Sequence, residues 1–468
     1  SDWSSDVCSS DLENWKPVAE YTVNKESPYY RELLPREVFD AIYNKLKQAA
    51  IGFLCSMDPS HAEIFKTLLP EYDHYLEDPL FKENFYEFFA GCQDTKSELF
   101  MSVFKNSAFK LGCYLHFLKE RDLAAKEIEK VQIKNPLYII AVPRSGTSFT
   151  HSLFSADPKA QTVAMYEHFN PGNKIMTNEA RIKIAEATCD SITEDKTKNF
   201  NSIHALMVTK PEEEMFFFEI LGMTLVFGCA LPRLEQYRAS LITRDYDWVY
   251  KATIDEMKIH TLEFPFKDEK DFFCMKCATH FATPMPFFKV MCKDEYNPRI
   301  IWIHREPVGN LKSAILLYYN VSTRYPHDIG LDDIKMLNER VINYTEIIMK
   351  NAYAARDAWI AENPERAKHI YDVSFAEIIA HPKDVVKKIY DYFDIEYSEE
   401  YDHILDDVIQ NGHPQKQYGR RAHEEDMYCF TPEEIRERFR FQYEKFGKYI
   451  PDFWGKQKIG RASCRERV

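Results

Sequence analysis

No block of Lys and Arg in this 468-residue chain is long enough to track a nucleic-acid backbone, and the formal net charge is −14. Nucleic acid is therefore excluded as a partner, and any anionic ligand must be met by a local cluster. No run of about 18 uninterrupted apolar residues exists, the length a membrane-crossing helix needs. The nearest, Met215 to Leu231, carries Glu219 and follows the acidic turn Pro211 to Glu214. That pattern predicts a buried helix with its carboxylates at the positive end of the dipole. Repeats and low-complexity linkers are also absent.

Cysteine is scattered. Of the 11 residues, Cys8 and Cys464 fall in aberrant ends, leaving an odd nine, which excludes a disulfide framework and points to a reducing compartment. One C-x-x-C, Cys274 and Cys277, has no second pair at ligand spacing, so no metal is expected and both thiols are expected to be buried beside a strand. The aberrant ends are Ser1 to Leu12, SDWSSDVCSSDL, and Ile459 to Val468, IGRASCRERV. Both resemble translated sequencing-adapter DNA and are set aside from the fold.

What remains is an ordinary globular balance, 45% hydrophobic and 29% charged. Residues 13–134 read as a helical N-terminal cap, with apolar residues at three-and-four spacing such as Val38, Ile42 and Leu46. Residues 135–446 read as one α/β domain, and 447–458 as a C-terminal segment. A short β-branched apolar run at Leu137 to Val142, and similar short runs at Phe272 to Met275, Ile300 to Ile303 and Ile370 to Val373, predict buried strands. Helical stretches separate them, including Asp333 to Ala361 and Phe375 to Phe393, and this alternation predicts a mostly parallel sheet covered by helices.

Directly after the first strand comes Pro143-Arg144-Ser145-Gly146-Thr147-Ser148, followed by a helix-like segment, Phe149 to Ser155. Strand, tight glycine turn and helix start place backbone N–H groups around an anion, and the helix dipole adds partial positive charge. The Walker A pattern is not met, because no Lys follows Gly146 and the earlier glycine is missing. The bland alternative is a Ser/Thr-rich helix cap. A second strand end carries Arg305, with Ser313 eight residues on along a helix, and the two suit a second phosphate.

Two anion cradles on one sheet, in this order, resemble the PAPS-dependent sulfotransferase family, in the branch whose loop reads P-R-[ST]-G-T-[ST]. PAPS is 3′-phosphoadenosine 5′-phosphosulfate, with a phosphate at each end. The resemblance extends to Tyr166-Glu167 with Pro171, similar to W-E-x-x-x-P, and to Lys276 and His280 at the K-S-P-x-H spacing. It also takes in Tyr371 to Phe375 and the basic segment Lys416 to His423. Tyr166 stands for Trp, Cys277-Ala278 replace Ser-Pro, and the late segment matches loosely.

The resemblance implies a P-loop-like α/β fold and PAPS as sulfuryl donor. Arg144, Ser145, Gly146, Thr147 and Ser148 would hold the 5′-phosphosulfate, and Arg305 and Ser313 the 3′-phosphate. Arg420, with Lys416 and Arg421, would close over the nucleotide. Catalytic roles fall to Arg144, on the departing phosphate, and to Glu167 and His280, of which Glu167 is the expected base, its pKa raised by burial beside Tyr166 and Phe169. His168 and His304 read as local hydrogen-bonding groups.

The acceptor is expected to bear a hydroxyl, on a carbohydrate or small molecule, and no metal is expected to take part. Rival readings are a P-loop small-molecule kinase, against which the missing Walker Lys counts, and a non-catalytic adenine-nucleotide-binding module. The location is expected to be cytoplasmic, or the Golgi lumen if an N-terminal anchor has been lost. Asn320-Val321-Ser322 and Asn343-Tyr344-Thr345 have the form of glycosylation sequons.

Overall fold

The computed structural model describes residues 12–90, 98–193, 206–322, 334–411 and 427–451. The four apolar runs are strands: β1 (Leu137–Ile140), β3 (Phe272–Lys276), β4 (Arg299–His304) and β5 (Ile370–Ser374). A two-residue strand, β2 (Ala160–Gln161), has no apolar run to announce it. All pairings are parallel, in the order β2-β3-β1-β4-β5.

Alternation along β1 sends Leu137 and Ile139 to one face and Tyr138 and Ile140 to the other, and both faces are buried. Thr147–Phe154, Phe375–Ala380, Pro382–Tyr392 and Glu399–Asn411 cover the first face. The opposite face carries the larger cluster, which runs without a break from Phe39 to Phe446. The N-terminal helices and the α/β unit thus share one core.

Within the N-terminal layer, Arg36–Met57 buries Phe39, Tyr43, Leu46, Ala50 and Leu54. This face is one residue round from the expected stripe, and Val38 is 43% exposed. The reason is area: the rings of Phe39 and Tyr43, 5.4 Å apart, bury more apolar surface than Val38 and Ile42 could.

Two expected helices are each divided. Met215 to Leu231 forms Met215–Ile220 and Leu225–Ala230, because Gly222 turns into the left-handed region at φ +78 between them. Glu219 consequently lies near the C-terminal end of a short helix rather than at a dipole N-terminus. It is held there by Lys110 at 2.9 Å and by the Thr224 hydroxyl at 3.1 Å. Phe375 to Phe393 divides at His381, since Pro382 restricts the residue before it and starts a new helix.

Asp333 to Ala361 is one helix, Ile334–Glu362. Of the sequon asparagines, Asn320 is buried and donates to the Leu316 carbonyl at 2.7 Å, inside Pro307–Ser322. The described cysteines are free thiols, with Cys274 and Cys277 both buried. No helix among the described residues is long and apolar enough to cross a membrane. Leu12, the last residue of the N-terminal segment set aside above, packs half-buried against the core. Residues 1–11 and 459–468 lie outside the described residues.

Candidate active site

The register of the sheet brings the C-terminal ends of β1, β3, β4 and β5 to one edge, the edge at which parallel α/β sheets take their ligands. From β1 the chain enters Pro143 to Ser148 and then the helix Thr147–Phe154, capped by Gly146 with no side-chain hydrogen bond. The hydroxyls here are therefore not spent on capping. Gly146 has φ +84, and a Cβ there would lie 2.5 Å from the Phe375 ring. Only glycine fits, on both backbone and steric grounds.

Asn310 braces the loop from the helix after β4, donating to the Pro143 carbonyl at 2.7 Å and the Ser145 hydroxyl at 3.1 Å. No motif pointed to this residue. Arg144 also takes a positive φ, +70, and its Nε donates to the Ser313 hydroxyl at 3.1 Å. Arg305 donates from Nη1 to the Arg144 carbonyl and lies over the Phe375 ring, 4.4 Å from its centroid. The two cradles expected to be separate form one continuous wall.

That wall concentrates positive charge. Burial depresses the pKa of Arg144, and burial together with Arg144 pushes Arg305 down to about 10. Glu306, next to Arg305, is engaged elsewhere, accepting from the Gly309 amide at 2.9 Å and the Tyr443 hydroxyl at 3.1 Å. Arg305 has no carboxylate within ion-pair distance among the described residues. An anion at this edge would relieve the repulsion between the guanidiniums.

At the end of β3, Lys276 reaches the loop, its ammonium 3.4 Å from the Ser148 hydroxyl. The same ammonium lies 2.5 Å from Glu213 and 3.6 Å from Glu212. Burial disfavours this charge, yet Glu213 and Glu212 outweigh it and raise the lysine pKa. The turn Glu212-Glu213-Glu214 is thus a run of buried carboxylates, of which Glu213 and Glu212 meet the Lys276 ammonium beside the loop. The three consecutive acids before an apolar run were its visible trace.

Glu214 accepts from the Lys276 amide at 3.1 Å and faces His280 Nε2 at 3.8 Å. Burial would raise this carboxyl, but the charge of nearby His280 holds it below the usual range. His280 is buried, bonded through Nδ1 to the Tyr250 hydroxyl at 3.0 Å and stacked on Phe287 at 4.3 Å. Cys277 completes a buried group in which the ligand atoms of Glu214, Cys277 and His280 lie within 4.8 Å of one another. Burial and the charges of Glu214 and Glu213 push the Cys277 thiol well up, so it stands as a neutral thiol beside an acid–imidazole pair.

Glu167 is placed differently from expectation. Its Oε2 accepts from the Ala164 amide at 2.6 Å, closing the start of its own short helix Met165–Phe169, and its Oε1 faces His260 Nδ1 at 3.5 Å. Burial by itself would raise this carboxyl as expected. The charge of nearby His260, the hydrogen bond from the Ala164 amide and Arg181 outweigh burial and lower it instead. Arg420, Lys416 and Arg421 lie outside the described residues.

A family model described as the sulfotransferase family matches residues 136–399, more than half of the chain. The chain belongs to the sulfotransferase family. Sulfotransferase STF9 from Mycobacterium avium shares the fold, with a TM-score of 0.65 at 16% identity over 82% of this chain and 96% of that one. Sulfotransferase STF1 from Mycobacterium tuberculosis H37Rv does so with a TM-score of 0.61, again at 16% identity, over 80% of this chain and 97% of that one. Among curated proteins no sequence match was found. In this sulfotransferase the matched stretch holds the loop, the acidic turn, Lys276 and Arg305.

Proposed function

We propose that the chain moves the sulfuryl group of PAPS to a hydroxyl-bearing acceptor, a carbohydrate or a small molecule. The observation that carries this reading is Lys276, whose ammonium sits between the Ser148 hydroxyl of the anion loop and the Glu213 carboxylate. One cation thus adjoins both the place where a donor phosphate would rest and a base for the acceptor.

In the reaction, the acceptor oxygen attacks sulfur in line as the bond from sulfur to the 5′-phosphate oxygen breaks. Charge builds on the departing phosphate. Lys276, Arg144 and the loop amides are placed to receive it. The acceptor's proton passes to Glu213, freed when Lys276 turns to the donor, so sulfate ester and 3′-phosphoadenosine 5′-phosphate (PAP) leave with charge balanced. Glu214 and His280 back this turn from the interior, and Arg305 with Ser313 takes the 3′-phosphate. A sulfuryl group carries less charge than a phosphoryl group, which suits a loop with neither the Walker Lys nor a metal motif. Free buried thiols support a reducing, cytoplasmic setting.

The test is a screen with sulfur-labelled PAPS against pooled phenols, alcohols, saccharides and tyrosyl peptides. Labelled product from a hydroxyl pool is expected. Tight PAPS binding without transfer to any pool would make the chain a nucleotide-binding module instead.

A further inference from the structure

Behind the acidic turn lies a buried pair that the transfer step does not use. His168 and Glu256, on Met165–Phe169 and Asp247–Glu263, are both inaccessible to solvent, with Nδ1 2.7 Å from Glu256 Oε1. The other ring nitrogen, Nε2, lies 3.3 Å from the backbone carbonyl of Glu212. A carbonyl only accepts, so Nε2 must carry a hydrogen, whichever of His168 and Glu256 holds the proton shared at Nδ1. The bond to Glu212 therefore persists in both proton arrangements. Although burial works against it, Glu256 raises the His168 pKa, which favours an imidazolium donating from both nitrogens.

The carbonyl held by His168 belongs to the peptide unit whose N–H is that of Glu213. This N–H is held too, donating to the Glu212 carboxylate at 3.1 Å. Both polar ends of one peptide plane are pinned, and that plane aims the Glu213 side chain. Backbone bonds from Tyr166 to Val208 at 3.1 Å and from Glu212 to Val163 at 3.1 Å already tie the two segments together. What the imidazole adds is rotational control of a single peptide.

We propose that His168, buttressed by Glu256, is a positioning residue that sets the direction of Glu213 toward the acceptor. The proposal rests on the reading of Glu213 as base. It assigns His168 no contact with donor or acceptor.

Two substitutions separate the ring's two bonds. The longer His168→Gln can place its amide N–H near the Nε2 position and keep the bond to Glu212, whereas His168→Asn reaches only toward Glu256. With labelled PAPS and the pooled acceptors above, His168→Asn should lower kcat about 10- to 100-fold, the scale of a misplaced catalytic group, with the Kd for PAP changed less than about twofold. His168→Gln should recover most of that loss. In a Glu213→Gln background, His168→Asn should cost less than about threefold more, because the group it aims is gone. Fully additive losses, or parallel loss of PAP affinity, would overturn the positioning role. A Glu213→Gln enzyme at wild-type speed would instead sink the reading of Glu213 as base. If His168→Asn does not fold, Glu256→Ala, which removes the side chain that buttresses the ring, gives the same cycle. A crystal structure of either variant provides a readout without turnover: an unrotated Glu212–Glu213 peptide counts against the proposal.

Discussion

Arg144 Nε donates to the Ser313 hydroxyl at 3.1 Å, so the loop after β1 and the helix after β4 meet through side chains before any nucleotide arrives. A bisphosphate would have to engage both elements together. Its two ends should therefore be separable by substitution only where a side chain serves one of them.

Arg305 is the sharper probe of that separation. If it holds a 3′-phosphate, Arg305→Ala should weaken PAP by about 2–4 kcal/mol, the scale of losing a buried charge-assisted partner, and barely change adenosine 5′-monophosphate. Because Arg305 also donates to the Arg144 carbonyl, a purely structural role would weaken both ligands alike. Calorimetry with the two nucleotides decides between these outcomes.

Much of this edge was legible because it is built from local patterns. The strands β1, β3, β4 and β5 lie in short, mostly apolar runs, and the loop's glycine closely follows the first. Less legible were features that depend on distant packing. The Glu167 carboxyl was expected to rise through burial, but His260, which lowers it, lies ninety-three residues away in sequence. Glu213 went unrecognised because its partner Lys276 lies on β3, sixty-three residues further along the chain. The divided helix around Gly222 hid behind a continuous apolar run, since apolar content does not report a positive φ.

Gly146→Ala tests the loop geometry. The left-handed φ costs a residue with a Cβ about 1–2 kcal/mol, and the Phe375 ring 2.5 Å away adds a clash. PAP binding should fall at least about tenfold, with a lowered Tm. Adding Phe375→Ala removes the clash but not the φ strain, so it should restore part of the loss. No recovery would mean that Phe375 does not press on this turn.

Asp372 governs acid stability at the far side of the same edge. It takes Arg356 in two bonds, 2.6 and 2.7 Å, and His304 at 2.7 Å. Burial would raise this carboxyl, but Arg356 and His304 lower it from 3.8 to about 2. A depressed carboxyl contributes stability that is present above its unfolded pKa and lost as pH falls through the folded one. This amounts to on the order of 2–3 kcal/mol at neutral pH. Urea unfolding should show wild type well above Asp372→Asn at pH 6, with the gap closing toward pH 2. A gap that stays constant over that range would show that the titration of Asp372 contributes nothing.

PAP should bind with unchanged affinity after exhaustive chelation, since the guanidiniums of Arg144 and Arg305 and the ammonium of Lys276 supply positive charge at the ligand edge. Calorimetry in chelator checks this, and metal analysis of the same sample reports on Glu214, Cys277 and His280. Binding that requires added divalent cation, or ATP binding tighter than PAP, would contradict the donor assignment.

The base is decided by ranking two glutamines. Glu213 lies against Lys276, which itself reaches Ser148, so loss of its carboxylate should act on proton removal at the place where the sulfuryl group moves. Glu213→Gln should lower turnover by about 10²–10⁴, the usual yield of general-base catalysis, with PAP affinity nearly intact. Glu167 already accepts from the Ala164 amide and faces His260, which hold its carboxyl low and make it a weaker base. Glu167→Gln keeps an oxygen for the Ala164 amide, so it should cost far less turnover, and its loss should show mainly as a lower Tm. His280→Ala should fall between the two, because it removes the partner of Glu214 within the same turn. Should Glu167→Gln prove the most damaging to kcat with Tm unchanged, the base role returns to Glu167, and the acidic turn serves only to hold Lys276.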